Sequence, residues 1–317
     1  MRVLVTGGAG FLGAHILRNL LARGHEPTAF IRPGKDRPHL GELGVPCVEG
    51  DVLDESSIMQ ACRGVDAMIH AAGRTGMWSR HNDEQRKVNV EGTTYAMRAA
   101  HKAHLERIVH VSTVGAVAGS EKPVVHDESA VWNLSHLRIN YVKTKREAED
   151  RAFAAAHAGM PVVVVNPSFL LGPRLDGRPP SPVVTGVAEG RINWVPDGGV
   201  SLAHVEDVAE GIVSALERGQ VNQRYILAGH NLTWAELYPV IAEVTGGKAP
   251  RRRLPFRVTR ALAVGAEVLD LLRLSRPPWA PERLRSFGMY GFFDSSKAEQ
   301  ELDYKIRPLE EIIRSCC

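Results

Sequence analysis

Residues 6–13 read TGGAGFLG, directly after the apolar run Val3, Leu4, Val5 and at the opening of a helical pattern, and nothing else in the 317 residues narrows the fold as far. Val3 to Val5 supply a short buried strand. Gly7 then allows a tight turn, Gly10 lets backbone come close to a pyrophosphate, and Gly13 lets the following helix pack on the strand. The helix N-terminus, with its unpaired N–H groups, faces the phosphates.

Further along, Thr28–Ile31, Pro46–Val48, Ala67–His70, Arg107–Val111 and Val162–Val165 are apolar runs separated by helical patterns. Such alternation specifies a parallel sheet, and strands apolar on both sides mean helices on both faces, so the expected class is α/β with a doubly wound parallel sheet. In that class ligands gather at the carboxyl edge of the strands. There the sequence places Gly7–Gly13, Arg32, Asp51, Ala71–Gly73, Ser112–Thr113 and Asn166–Ser168. From Pro167 the pattern loosens. The expected division is therefore a dinucleotide-binding domain over 1–166 and a mainly substrate-covering region over 167–317, with residues 201–228 returning to the first.

The composition sets few functions apart, but it excludes some. Net charge is 39 − 36 = +3 without histidine, too small for nucleic-acid binding, and Arg251, Arg252 and Arg253 read as a solvated strand flank. Cys47, Cys62, Cys316 and Cys317 form no CxxC pair, which suits reduced thiols in a cytoplasm, and the last two read as a frayed tail. The stretch Ala261 to Leu272 is interrupted by Glu267 and Asp270, so no integral membrane segment is expected. The helix from about Phe256 to Leu274 could be core packing, an apolar lid or a membrane-touching face; core packing is the default expectation.

A second chemical signal is Tyr141 and Lys145, a YxxxK at the start of a helical pattern running to about His157. The i, i+4 spacing puts both side chains on one face. An ammonium within ~4–6 Å favours the phenolate, which would draw a phenol of pKa about 10 toward neutrality and make it an acid/base. Cofactor choice follows from the end of the second strand, where an NAD enzyme usually carries a carboxylate. This chain has Arg32 there, with Lys35 and Arg37 beyond it, and a guanidinium suits a 2′-phosphate, so NADP(H) is favoured over NAD(H).

TGGAGFLG, His70–Gly73 (HAAG), Ser112–Thr113, YVKTK and NPSFLLGP at Asn166–Pro173 together resemble the extended short-chain dehydrogenase/reductase family, within the NAD-dependent epimerase/dehydratase superfamily. With HVEDVAEG at His204–Gly211, RYILAG from Arg224 and the late FFDSSKA, the chain is most similar to dihydroflavonol-reductase-like and hopanoid-associated sugar-epimerase-like members, related to 3β-hydroxysteroid dehydrogenases. The resemblance implies a Rossmann fold and three catalytic residues: Tyr141 as proton donor and acceptor, Lys145 on the nicotinamide ribose, and a hydroxyl at Thr113, with Ser112 as its alternative. It also implies cofactor contacts at Gly7, Gly10, Phe11, Leu12, Gly13, Arg32, Asp51, Val52, Ala71, Ala72, Gly73, Tyr141, Lys145, Pro167 and Ser168, and a possible homodimer. Asp51 would meet the adenine edge or cap the helix near Glu55. His70 reads as packed rather than catalytic, and Asn89 either braces the site or makes a mid-helix hydrogen bond. No metal site is expected. For substrate, Met77, Trp78, Phe169, Leu170 and Trp194, and more remotely Tyr290 and Phe292, line a pocket or simply fill core. Apolar residues outnumber Arg174, Arg178 and Arg191 there, so the leading expectation is hydride transfer to or from a carbonyl or secondary alcohol of a fairly apolar small molecule. The alternatives are a nucleotide-sugar epimerase or dehydratase that retains its cofactor, and a non-catalytic cofactor-binding protein.

Overall fold

A computed structural model describes residues 1–34, 37–76, 82–175, 177–178, 181–272 and 280–317, with side chains 270 and 271 excepted; Met77, Trp78 and Lys35 therefore lie outside the described residues. Its strands, in chain order, are β1 (Arg2–Thr6), β2 (Glu26–Ile31), β3 (Cys47–Glu49), β4 (Ala67–His70), β5 (Arg107–Val111), β6 (Val125–His126), β7 (Val162–Pro167), β8 (Phe169–Leu171), β9 (Trp194–Pro196), β10 (Gly199–His204), β11 (Arg224–Leu227), β12 (His230–Thr233), β13 (Arg252–Leu254) and β14 (Tyr290–Phe293).

Seven of them form one parallel sheet in the order β11-β7-β5-β4-β1-β2-β3. The order reverses beside β1, which is where a doubly wound sheet opens its ligand crevice. Successive side chains along a strand point to opposite faces, and the core divides accordingly. Val3, Val5, Ile69, Val109, Val111, Val163 and Val165 face the helices Phe11–Ala22 and Val205–Arg218. Leu4, Met68, Ile108, Val162 and Val164 face Ile58, Ala96, Ala100, Ala152 and Ala156 on the other side. Every one of these strand residues is at most 6% exposed, which is why the runs in the sequence are continuously apolar.

The remaining strands build a five-stranded sheet, in which β8 pairs with β10, and a two-stranded pair of β13 with β9. Two expectations are corrected. Cys316 is no part of a frayed tail: the helix Leu309–Arg314 carries it into a core with Trp234 and Ile241, where it is 3% exposed. The helix Phe256–Leu271 is not mainly core either. It buries Thr259, Ala263 and Ala266 and leaves Val258, Leu262, Val264, Val268 and Leu269 outward, because among the described residues its inner stripe rests mainly on the short helix Pro281–Ser286 and Phe287.

Candidate active site

The glycine turn is held by backbone alone. Gly7 has φ +74° and its carbonyl accepts from the Gly10 N–H at 2.9 Å. A Cβ on Gly13 would stand 2.1 Å from that same carbonyl oxygen, so the third glycine lets the helix close on the turn itself. A Cβ on Gly7 would meet the Ala71 carbonyl at 2.8 Å, so the end of β4 packs directly against the turn. Helix Phe11–Ala22 begins at Gly10 with no side-chain cap and no acidic residue in its first turn. Its leading N–H groups are left for an anion. At the end of β7, Pro167 is buried and the Ser168 hydroxyl is enclosed without a partner. These features fit the diphosphate and nicotinamide ends of a dinucleotide.

Helix Asn140–His157 brings Tyr141, Lys145 and Glu149 onto one face at successive four-residue steps. The Thr113 hydroxyl accepts from the Gly115 N–H at 3.4 Å and hydrogen-bonds the Tyr141 hydroxyl. Lys145 is buried and donates to the Val111 carbonyl at 2.7 Å. Burial pushes its pKa down to about 8, against the opposing pull of Glu149. The expectation that an ammonium draws Tyr141 toward neutral pH is corrected: burial dominates and raises the phenol, and the Thr113 contact only partly offsets it. Tyr141 therefore keeps its proton at neutral pH. Ser112 lies apart from the phenol, buried and facing Glu149 without reaching good hydrogen-bond geometry.

A buried chain of hydrogen bonds ties the floor of the turn to the tyrosine. The Ala72 N–H donates to Thr6 Oγ1 at 3.2 Å, and Thr6 Oγ1 is 2.8 Å from His70 Nδ1. His70 Nε2 is 3.2 Å from Thr93 Oγ1, which donates to the Asn89 carbonyl at 2.7 Å. That directionality puts the His70 proton on Nε2, with Nδ1 accepting from Thr6. Asn89 Nδ2 donates to Thr144 Oγ1 at 3.1 Å, and Thr144 donates to the Tyr141 carbonyl at 3.1 Å. Asn89 Oδ1 also accepts from the Arg74 N–H at 2.8 Å. The residue sits in a π-helical turn, Lys87–Glu91, a departure from α geometry common at working sites. Asn89 is thus a brace between the β4 loop and the tyrosine helix.

His70 is fully buried, stacks on His110 at 5.6 Å, and is held neutral by burial with a pKa lowered to about 3. Arg32 is exposed immediately after β2. Asp51 accepts from the Leu53 N–H at 2.9 Å, while Asp54 caps the helix Glu55–Ala61 through the Ser56 N–H; the cap expected of Asp51 belongs to Asp54. Val52 is buried against Gly92, Ala71 and Ala72 are half-buried, and Gly73 is exposed near Asn89. Arg174 lies over the Phe11 ring at 5.0 Å, and Leu12 packs on the core. Phe169 and Leu170 pair through β8 with Leu202 and Ala203, and Phe169 meets Trp234 edge-on at 6.2 Å. Trp194, in β9, is 42% exposed with Arg252 over its ring at 5.6 Å. Three surface clefts share Arg146, two of them with Trp132 and two with Arg224, and none includes Tyr141 or Lys145.

Sequence reasoning passed over Glu149, and it placed Asn166 at the strand edge and Arg224 in a motif without joining either to it. Glu149 is fully buried, its Oε1 2.7 Å from Arg224 Nη2 and its Oε2 accepting from Asn166 Nδ2 at 2.6 Å. Asn166 also donates to the Thr113 carbonyl at 3.0 Å. The signal was available as the same four-residue step continued once more past Lys145. Among the described residues no cluster could hold a metal ion, and no helix is long and apolar enough to cross a membrane.

A doubly wound sheet with an uncapped glycine turn at its switch point, and beside it a half-buried Tyr141 one helical turn from a buried Lys145, defines a dinucleotide-dependent oxidoreductase. Residues 3–228 match the NAD dependent epimerase/dehydratase family. The chain belongs to that family and is an NAD(P)-dependent oxidoreductase of the extended short-chain dehydrogenase/reductase type. It is 32% identical over 310 residues (95% of this chain, 93% of the relative) to sterol demethylase protein B of Methylococcus capsulatus. It is also 32% identical over 311 residues (96% and 92%) to 4-hydroxy-2-methyl-3-oxo-4-farnesyl-3,4-dihydroquinoline-1-oxide ketoreductase of Stigmatella aurantiaca. A solved structure of a nucleoside-diphosphate-sugar epimerase from Pseudomonas aeruginosa superposes with a TM-score of 0.81 at 27% identity, covering 100% of this chain and 96% of that one.

Proposed function

We propose that this chain is an NADP(H)-preferring reductase that converts a carbonyl of a fairly apolar small molecule to a secondary alcohol, with Tyr141 as the proton donor. The observation that carries the reading is the Tyr141 hydroxyl, raised in pKa by burial and hydrogen-bonded by Thr113. A bound reduced dinucleotide supplies the hydride. As charge develops on the carbonyl oxygen, Thr113 and Tyr141 offer it hydrogen bonds and Tyr141 gives up its proton, so the oxygen becomes the hydroxyl of the product alcohol. Lys145, fixed on the Val111 carbonyl, holds its charge beneath the phenol and offers N–H groups to the nicotinamide ribose. Gly7, Gly10, Phe11, Leu12 and Gly13 cradle the diphosphate, Ala71 to Gly73 and Pro167 with Ser168 flank the nicotinamide half, and Asp51 and Val52 meet the adenine.

The apolar substrate class is supported by the farnesyl-quinoline ketoreductase relative, which acts on a prenylated ketone by its own name. NADP(H) preference is supported by Arg32, an exposed guanidinium side chain where a ribose-binding carboxylate would otherwise stand. The test uses a panel of long-chain and polycyclic ketones. Tyr141→Phe is expected to lower kcat at least roughly a hundredfold with the protein folded and the dinucleotide still bound; near-wild-type turnover removes the proton-donor assignment. Binding of NADPH and NADH to the wild type and to Arg32→Asp should invert in preference. An unchanged preference removes the guanidinium argument. Likeness to the sugar epimerase keeps one other chemistry in view, and net consumption of NADPH with substrate separates reduction from a cofactor-retaining epimerisation.

A further inference from the structure

From Lys248 to Leu272, where Glu267 and Asp270 are the only acidic residues, the chain carries Lys248, Arg251, Arg252, Arg253, Arg257 and Arg260, a local charge of 6 − 2 = +4 in a protein whose total is +3. All six of these side chains are exposed. The same segment forms β13 and the helix Phe256–Leu271, which is docked firmly at its start: the Phe256 N–H donates to Asp197 Oδ2 at 2.9 Å, and the Phe256 ring closes on Gly288. The inward stripe of Thr259, Ala263 and Ala266 meets Leu284 and Phe287. At about 100° per residue, Val264 and Val268, with Leu272 just past the helix end, fall opposite that stripe, while Val258, Leu262 and Leu269 continue the outward arc round to its edge. Val258, Leu262, Val264, Val268, Leu269 and Leu272 are 44%, 40%, 58%, 47%, 38% and 58% exposed. Beside β13, Trp194 is exposed under the Arg252 guanidinium, an amphipathic ring suited to a lipid headgroup layer.

We propose that the helix Phe256–Leu271, with β13 and Trp194, docks in the plane of an anionic lipid bilayer surface. A helix of 16 residues with an outward apolar arc and arginines beside it lies in the interface with its apolar side among the upper acyl chains, while the guanidinium groups stay with lipid phosphates. The charge selects the occupant. A second copy of this chain would bring a second +4 segment against the first, whereas an anionic membrane neutralises it. The inference does not depend on which substrate is reduced.

The test is flotation of the full chain with vesicles of phosphatidylcholine alone and of equal parts phosphatidylcholine and phosphatidylglycerol. Wild type is expected to float with the phosphatidylglycerol vesicles at low salt and to be released as salt rises. Leu262→Gln/Leu269→Gln should weaken that binding at least roughly tenfold by removing buried apolar area. Arg251→Gln/Arg253→Gln/Arg257→Gln should weaken it by a similar or larger factor, roughly tenfold or more. Lys122→Gln, an exposed cation elsewhere, should bind as wild type does. Circular dichroism and dinucleotide affinity serve as controls, since these positions are exposed and outside the site. Absence of wild-type flotation, or binding that survives both sets of substitutions, overturns the proposal. So does a wild-type dimer by light scattering that the leucine substitutions split without any vesicle binding, which assigns the face to self-association.

Discussion

Replacing Glu149 with glutamine separates the structural and electrostatic duties of the tyrosine helix. The carboxylate is fully buried, 2.7 Å from an Arg224 that is itself 14% exposed, and it accepts from Asn166 at 2.6 Å. Breaking a buried ion pair from one side costs about 3–5 kcal/mol because the other charge stays buried without its counterion. Glutamine keeps the volume and one acceptor oxygen, so the lower end, about 3 kcal/mol, is expected, read as a fall in Tm of roughly 4–5 °C for a chain of this size. The second effect is on Lys145. Glu149 holds its pKa up against burial, leaving it at about 8; without the carboxylate the ammonium loses its proton at lower pH. The alkaline limb of kcat/KM for ketone reduction should therefore move to lower pH. Glu149→Gln/Arg224→Met is the discriminating variant. Removing both charges should recover stability to within about 1 kcal/mol of wild type, yet the limb should stay displaced. A single variant that melts with wild type, or a double variant whose pH profile is wild-type, refutes the reasoning.

Three further outcomes follow from the buried network. His110 has both ring nitrogens enclosed without a partner and a pKa held well below its usual value by burial, with His70 lowered to about 3 beside it. Depressed folded values mean that the unfolded chain binds more protons, so their stability contribution is present above about pH 6.5 and is lost as pH falls below it, at about 1.4 kcal/mol per pH unit for each histidine. His110→Leu, which leaves no nitrogen unsatisfied, should melt at or above wild type at pH 7 and show a shallower loss of Tm between pH 6.5 and pH 5. Gly13→Ala puts a methyl 2.1 Å from the Gly7 carbonyl oxygen and should abolish dinucleotide binding by calorimetry. Asn89→Ala should cost about 1–3 kcal/mol in chemical denaturation by orphaning the Arg74 N–H, and should lower kcat more than it raises KM, because its partner Thr144 supports the Tyr141 backbone.

The parallel sheet was legible because its cause is local. A strand packed on both faces must be apolar at every position, so Val3–Val5, Ala67–His70 and Val162–Val165 announce themselves without knowledge of their neighbours. The glycine turn was legible for a similar reason, as its carbonyl, its φ and its helix start lie within seven residues. Errors arose where the partner is distant in sequence or where one acidic residue competes with another close by. Asp54 outcompetes Asp51 as a cap because the helix begins one residue after Asp54, a boundary that periodicity leaves loose. Cys316 is buried because the helix before it packs on Trp234 and Ile241, some seventy residues upstream. Helix Phe256–Leu271 has the pattern of a core element, and only the shape of the body, which offers it one short helix to lean on, leaves its other side outward. Glu149 shows the limit most sharply. Its spacing from Tyr141 and Lys145 is visible in the sequence, but a buried acid is tolerable there only because β11 pairs with β7 and delivers Arg224 and Asn166 to the same point. The catalytic face of that helix is thus written in one segment, while the charges that make it habitable come from strands folded against it.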